Sequence, residues 1–255
     1  MGTQQQRDLA RALTRQGLTL AQIADACGVS VSSVRRWRDT DRRALGPPDP
    51  LLPGNCPICR GDEFAGAPYS YLLGIYLGDG HIVLHSRDVY RLEIACSDTW
   101  PGLQNEAMQA ISAVMPHLKV GRRRSTGCTY IGAYSKHWPC LFPQHGPGMK
   151  HTRKIELAGW QRGIVDEFTE EFVRGLIHSD GCRALNRVNR PTAEGDRWYE
   201  YPRYFFTNAS DDIRELFTGA LDRLGVEWRQ SSPRNISVAK RGAVERLDGF
   251  VGPKF

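Results

Sequence analysis

Asp79 and Asp180 each end an apolar stretch about one short helix long, and each is followed by glycine. The stretches are Tyr71-Leu72-Leu73-Gly74-Ile75-Tyr76-Leu77-Gly78-Asp79-Gly80 and Phe172-Val173-Arg174-Gly175-Leu176-Ile177-His178-Ser179-Asp180-Gly181. A carboxylate at a helix C-terminus adds charge to an end that the backbone dipole already polarises negatively, which suits a cation. Two such carboxylates at one point are a start on a site for a hard divalent metal, Mg²⁺ or in its place Mn²⁺. For them to meet, the two helices must pack side by side. Gly74 and Gly78 lie four apart, as do Gly175 and Ser179, so each pair shares one helical face. A stripe of small residues lets two backbones approach closely.

The surrounding residues predict what positions those helices. After Asp79-Gly80, residues 81–85 alternate as a strand, Ser86-Arg87-Asp88 turns, and residues 90–96 return. Tyr90, Leu92, Ile94 and Cys96 share one face of the return strand, and Arg91 and Glu93 the other. A helix runs from Asp98 or Thr99 to about Met115, burying Leu103, Ala107, Ala110, Ile111 and Val114, and Pro116 stops it. Residues 119–124 and 128–134 form a second strand pair, Lys136 lies just past it, and a short helix follows near Trp138. The second stretch heads the same order. Thr169 caps its helix, with Glu170 and Glu171 in the first turn. Strands at 182–190 and 201–209 flank a polar excursion at 191–197; a helix at 211–224 and strands at 226–230 and 235–240 follow. Cys96-Ser97-Asp98 matches Ala209-Ser210-Asp211, and Ile131-Gly132-Ala133-Tyr134-Ser135-Lys136 matches Ile236-Ser237-Val238-Ala239-Lys240 with one gap. The halves read as an internal duplication, with repeat one at 69–142 and repeat two at 160–255.

Ahead of them, residues 1–42 predict a small all-α domain. A helix at 7–16 turns Leu9, Ala12 and Leu13 inward; Thr19 caps a second at 20–27; Gly28-Val29 makes a tight turn. Ser30 caps a third helix to about Arg38, with Val31 and Val34 inward and Ser32, Ser33, Arg35, Arg36 and Arg38 on its other faces. This helix-turn-helix pattern resembles the tri-helical domains of resolvases and transposases, and the third helix would read DNA. Residues 43–68 are a Pro/Gly linker that carries Cys56-Pro57-Ile58-Cys59. That spacing is a zinc knuckle lacking half its ligands. Zn²⁺ would need two more from Cys96, Cys128, Cys140, Cys182 or a histidine, so two free thiols are the expectation.

The composition fits a DNA partner. Lys and Arg outnumber Asp and Glu by 34 to 28, for a net charge of +6. Seven scattered cysteines do not suggest a disulfide framework. No apolar run approaches the roughly 18 residues of a membrane span. The polar start Met1-Gly2-Thr3-Gln4-Gln5-Gln6 lacks a secretory leader, so a cytoplasmic, nucleoid-associated protein is expected.

The paired segments resemble the two motifs of LAGLIDADG homing endonucleases over about residues 69–255. The resemblance implies an α+β fold: two αββαββα repeats in a single-chain pseudo-dimer, monomeric, whose two four-stranded sheets form a β-saddle in the DNA major groove. It implies that Asp79 and Asp180, with the adjoining Gly78 and Ser179, hold divalent metal. It also implies basic residues near the cleavage centre, for which Lys136 and Lys240 are the positional candidates. Leu77 and His178 stand where the motif has its earlier acid, and Arg174, unusual on a buried face, is expected to point outward. Candidate DNA contacts on the strands are Arg91, Arg122, Arg123, Arg124, Arg183, Arg187 and Arg190. Strand alternation should send some to the groove face and others to its phosphate edges. The expected activity is metal-dependent, site-specific cleavage of double-stranded DNA. The alternative is a non-cleaving transcriptional regulator on the same scaffold; a sporulation-regulator family that joins a similar fold to a helix-turn-helix lacks the metal acids, which Asp79 and Asp180 retain here.

Overall fold

The computed structural model describes residues 3–15, 18–44, 56–61, 65–192 and 195–255. They fall into two compact units that divide between Gly54 and Asn55. Residues 45–55 and 62–64 of the expected Pro/Gly linker lie outside the described residues, and Cys56 and Cys59 belong to the larger unit.

The smaller unit is three helices: α1 (Gln4–Arg15), α2 (Leu20–Ala26) and α3 (Val31–Ala44). Thr19 and Gln22 form a reciprocal capping box that starts α2, and Gly28, at φ 63°, turns the chain into α3. Ser30 accepts from the Ser33 N–H at 3.2 Å. Ala10, Ile23, Ala24, Cys27, Val34 and Trp37 form the core. Leu9, Ala12 and Val31, expected inward, are exposed; Ala10 takes the inner face of α1, and Trp37 extends that of α3 one turn beyond Val34.

The larger unit begins with a one-turn helix, α4 (Pro57–Arg60), and then repeats one order twice. Repeat one is α5 (Gly66–Asp79), β1 (Gly80–His85), β2 (Val89–Ser97), α6 (Pro101–Val114), β3 (Gly121–Ser125), β4 (Cys128–Ser135) and α7 (Trp138–Leu141). A connector holds α8 (Gly159–Glu167). Repeat two is α9 (Thr169–Asp180), β5 (Gly181–Thr192), β6 (Gly195–Thr207), α10 (Asp211–Arg223), β7 (Arg229–Ser232), β8 (Asn235–Val238) and α11 (Arg241–Asp248). The antiparallel sheets have the same strand order, β1-β2-β4-β3 and β5-β6-β8-β7. The fold is therefore α+β with the expected duplicated layout. Some local expectations differ. The polar excursion at 191–197 continues the β5–β6 hairpin, with Pro191 opposite Asp196. Thr169 does not cap α9; its hydroxyl donates back to the Val165 carbonyl at 2.8 Å and so joins α8 to α9.

Every residue of α5 from Tyr69 to Leu77 is buried, as suits a helix apolar on all sides, and α9 packs along it. The contact is backbone to backbone. A Cβ added at Gly74 would sit 2.6 Å from the Phe172 carbonyl oxygen and 2.9 Å from the Gly175 Cα; one at Gly175 would overlap the Tyr71 carbonyl oxygen. Gly80 and Gly181 are needed for a related reason. A Cβ there would fall 2.5 Å from the Tyr76 Cα and 2.8 Å from the Ile177 Cα, so the chain can leave each helix directly as a strand. One core runs through both repeats, from Leu72, Leu92, Ile111 and Ile131 to Leu176, Phe206, Phe217 and Ile236.

Gly74→Ala and Gly175→Ala should therefore each destabilise the larger unit by about 2–3 kcal/mol, because backbone cannot yield as a flexible side chain can. Thermal denaturation should show a fall of roughly 5–10 °C. Gly163→Ala, where an added Cβ meets nothing within 4 Å, should leave the midpoint nearly unchanged.

Candidate metal centre and nucleic-acid interface

Because β1 and β5 start immediately after Asp79 and Asp180, both carboxylates sit at helix-to-strand junctions. The α5–α9 contact brings the junctions together: a Cβ on Gly78 would lie 3.0 Å from the Asp180 Cγ. Desolvation first, and then the charge of Asp180, push the Asp79 carboxyl up to about 6. Desolvation also raises Asp180, against the opposing pull of Asn208, Lys150 and Lys254. The Asn208 amide donates to Asp180 Oδ2 at 2.5 Å and fixes its orientation.

Two amines lodge at the same helix ends. Lys150 Nζ donates to the carbonyl oxygens of Tyr76, Leu77 and Gly78 at 2.5, 2.9 and 2.7 Å. Lys254 Nζ donates to those of Ser179 and Gly181 at 3.3 and 2.6 Å. Those of Leu77, Gly78 and Ser179 are last-turn carbonyls that a helix leaves without internal partners, and a cation satisfies both their lone pairs and the dipole. Desolvation lowers both amines, Lys150 to about 8, while the two aspartates pull the other way. Lys136 and Lys240 are not the lysines found here. Lys136 is exposed beyond β4, and Lys240 pairs at 2.5 Å with Glu227. Gly78 and Ser179, expected beside a metal, each already present a carbonyl to an ammonium.

His178 and Arg174 cross-link the repeats. Tyr71 of α5 donates to Glu106 Oε2 of α6 at 2.9 Å and lies 3.1 Å from His178 Nδ1. His178 Nε2 is 2.9 Å from the Val251 carbonyl, an acceptor only, so Nε2 carries a proton. Arg174 is half-buried rather than outward: it stacks on Tyr71, bonds the Val251 carbonyl and reaches Glu106 Oε1 at 2.5 Å. Burial opposes ionisation of Glu106, but His178, Arg174 and Tyr71 together hold its carboxyl below the usual range.

Alternation sorts the arginines on the strands. On the face of the first sheet turned away from the helices, Arg91 and Arg123 each reach Glu93 Oε1 at 2.9 Å and stack on Tyr134 and Tyr130. Arg122, one residue over, turns to the helix side and bonds Asn105 at 2.5 Å. Arg124, exposed, lies on that side too by register. In the second sheet Arg183 faces the helix side and pairs with Asp248 at 2.8 Å, while Arg187 stacks on Trp198 beside Glu200. Arg203, absent from the expected set, occupies the outward face and stacks on Tyr201 and Phe205. Its signal in the sequence was its place between aromatics two residues away on either side. In the smaller unit Ser32, Arg35 and Arg36 are exposed along α3, and Ser32 and Ser33 hydrogen-bond through their hydroxyls to Ser30. The side chains of Arg38 and Arg190 lie outside the described residues. Cys56 and Cys59, expected as two free thiols, converge with His137 and Cys140.

Comparison with known proteins gives three findings. A homeodomain-like domain model matches residues 7–47. No curated protein matches the chain by sequence. Solved structures similar to the chain include the homing endonuclease I-DmoI bound to DNA and Ca, at 14% identity and a TM-score of 0.49, covering 75% of this chain and 92% of that one. They also include the LAGLIDADG meganuclease I-AabMI bound to uncleaved DNA, at 12% identity and a TM-score of 0.45, covering 72% and 82%. Among the described residues no helix is long and apolar enough to cross a membrane.

A carboxyl whose folded pKa is raised contributes stability below its unfolded value, about 3.8, and loses that contribution as pH rises through about 6. Asp79→Asn should therefore raise the melting temperature in Mg²⁺-free buffer at pH 7.5. Asp79 is exposed to solvent on one side, so screening reduces the gain to about 1 kcal/mol, or roughly 2–4 °C. The gain should fade towards pH 5. A variant that melts at or below the parent at pH 7.5 would contradict this.

Proposed function

We propose that the chain is a divalent-metal-dependent endonuclease that cleaves double-stranded DNA at a specific site. The observation that carries the reading is the meeting of Asp79 and Asp180 at the ends of two helices in backbone contact, each end also holding a lysine. The donor set fits Mg²⁺ or Mn²⁺: hard carboxylate oxygens with neighbouring carbonyls, at a point where charge from two helix termini accumulates. Asp79 and Asp180 would hold the metal, and when bound it supplies Lewis-acid stabilisation of phosphate charge and a more acidic water.

The chain's own groups divide the remaining work. Asn208 holds the Asp180 carboxylate in one orientation. Lys150 and Lys254 offset the charge of the aspartate pair, which lets a phosphodiester approach two anions. A Lys150 amine near pKa 8 remains mostly protonated at neutral pH and can neutralise charge developing on the scissile phosphate. The two sheets would lie along the major groove, with Arg91, Arg123 and Arg203 towards the bases and Arg122, Arg124, Arg183 and Arg187 nearer phosphates. The helix-turn-helix adds a second DNA contact through Ser32, Arg35 and Arg36 of α3.

One observation favours a second reading, a DNA-binding regulator without cleavage. The carbonyls of Gly78 and Ser179 are already bonded to ammonium groups, so the carboxylate pair is neutralised without a metal.

Selecting bound sites from random duplexes and incubating the winners with Mg²⁺ or Mn²⁺ separates the two. The nuclease reading expects cutting of both strands by the parent, loss of at least ~10³-fold in rate for Asp79→Asn or Asp180→Asn, and affinities within a few-fold of the parent. Tight binding without any nick, in either metal, sinks it. For the role of α3, Arg35→Ala or Arg36→Ala should lower the slope of log affinity against log salt by about one for each phosphate that is no longer neutralised. An unchanged slope in both would remove α3 from the DNA interface.

A further inference from the structure

We propose that Cys56, Cys59, His137 and Cys140 form a structural Zn²⁺ site that fastens the segment ahead of α5 to the segment following β4. The ligand atoms of all four lie within 4.8 Å of one another. Cys59 Sγ is 3.6 Å from Cys140 Sγ and 3.5 Å from His137 Nδ1, and Cys140 Sγ is 3.8 Å from His137 Nδ1. Zinc with its usual bond lengths and tetrahedral angles requires sulfur–sulfur edges of about 3.8 Å and sulfur–nitrogen edges of about 3.6 Å. The three distances match those edges to within a few tenths of an ångström.

The two halves of the site are built alike. Cys56 precedes α4 and Cys59 is its third residue; His137 precedes α7 and Cys140 is its third residue. In each, a backbone turn folds the first ligand back over the second: Arg60 N–H donates to the Cys56 carbonyl at 3.1 Å, and Cys140 N–H to that of His137 at 3.0 Å. Gly61, at φ 68°, closes α4. A one-turn helix has too few hydrogen bonds to persist by itself, so something beyond its own backbone must hold α4 in place. The second half is anchored independently, by the fully buried Trp138, whose indole donates to the Ala133 carbonyl at 2.9 Å, and by the His137 N–H on Ser135 Oγ at 3.1 Å.

Three thiolates and one imidazole are a soft set that selects zinc over magnesium, which keeps this site chemically separate from the aspartate pair. Four protein ligands leave no open position, so the site is structural. A Cys59–Cys140 disulfide would need the sulfurs at about 2.05 Å and would leave Cys56 and His137 facing nothing.

The test is metal content, which does not depend on whether the protein cuts DNA. Full-length chain dialysed without chelator should carry one equivalent of Zn²⁺ by plasma mass spectrometry. Replacement by Co²⁺ should give the thiolate charge-transfer and intense visible bands of a tetrahedral site. Cys59→Ser and Cys140→Ser should lose the zinc, while Cys182→Ser should keep it. His137→Cys should also keep it and shift the cobalt bands, which guards against misfolding as the explanation for loss. Protein free of zinc that also gives no tetrahedral cobalt spectrum overturns the proposal. So does full zinc retention in both serine variants of the cluster, or a Cys59–Cys140 disulfide in the unreduced protein.

Discussion

Everything in the larger unit depends on how closely α5 approaches α9. At Gly74 and Gly175 the two backbones touch with no side chain between them, and that approach sets where both helices end. Since each strand leaves its helix without a loop, the helix ends set the positions of both aspartates and of both sheets. A close-packed contact of this kind is stiff, because displacing one helix by a methyl diameter forces backbone into backbone. The carboxylates are therefore held by main chain, and Asn208 settles the last torsion of Asp180.

The repeats are alike in layout but not in chemistry. Asp180 has a side-chain amide holding it, whereas burial and the neighbouring charge raise Asp79 to about 6. The polar network of Tyr71, Glu106, Arg174 and His178 lies on one side of the helix pair and ties α9 of repeat two to α6 of repeat one. Removing one member would leave the others buried and short of partners, so this network also specifies the pairing of the repeats. His178, at the motif's usual acid position, belongs to this network and not to the aspartate site.

The main architecture was legible in the sequence because it rests on local rules. Spacing of small residues indicated the helix contact, alternation indicated that the strand arginines would divide between two faces, and matched segments indicated the duplication. Strand-end proximity, a local cue, pointed to Lys136 and Lys240, whereas Lys150 and Lys254 reach the helix ends from the inter-repeat connector and the C-terminal tail. In each repeat the amine lies 14 residues beyond the expected one, 136 to 150 and 240 to 254. The offset between the halves is thus the same for either pair of lysines. The inward turn of Arg174 escaped for a similar reason: Glu106 is 68 residues away, and no periodicity reports a partner at that distance. The convergence of Cys56 and Cys59 with His137 and Cys140 is likewise set by tertiary packing between α4 and α7.

The position of the cysteine–histidine cluster has a mechanical consequence. The larger unit starts at Asn55, so the chain arriving from the linker reaches Cys56 ten residues before α5 begins at Gly66. Tension carried along the linker is met first at that cluster and passed to α7 and the fully buried Trp138. The helix that carries Asp79 is spared the load. A pull on the N-terminal unit would then strain the cysteine–histidine cluster and an indole anchor before it disturbed the glycine contact on which the aspartate pair rests.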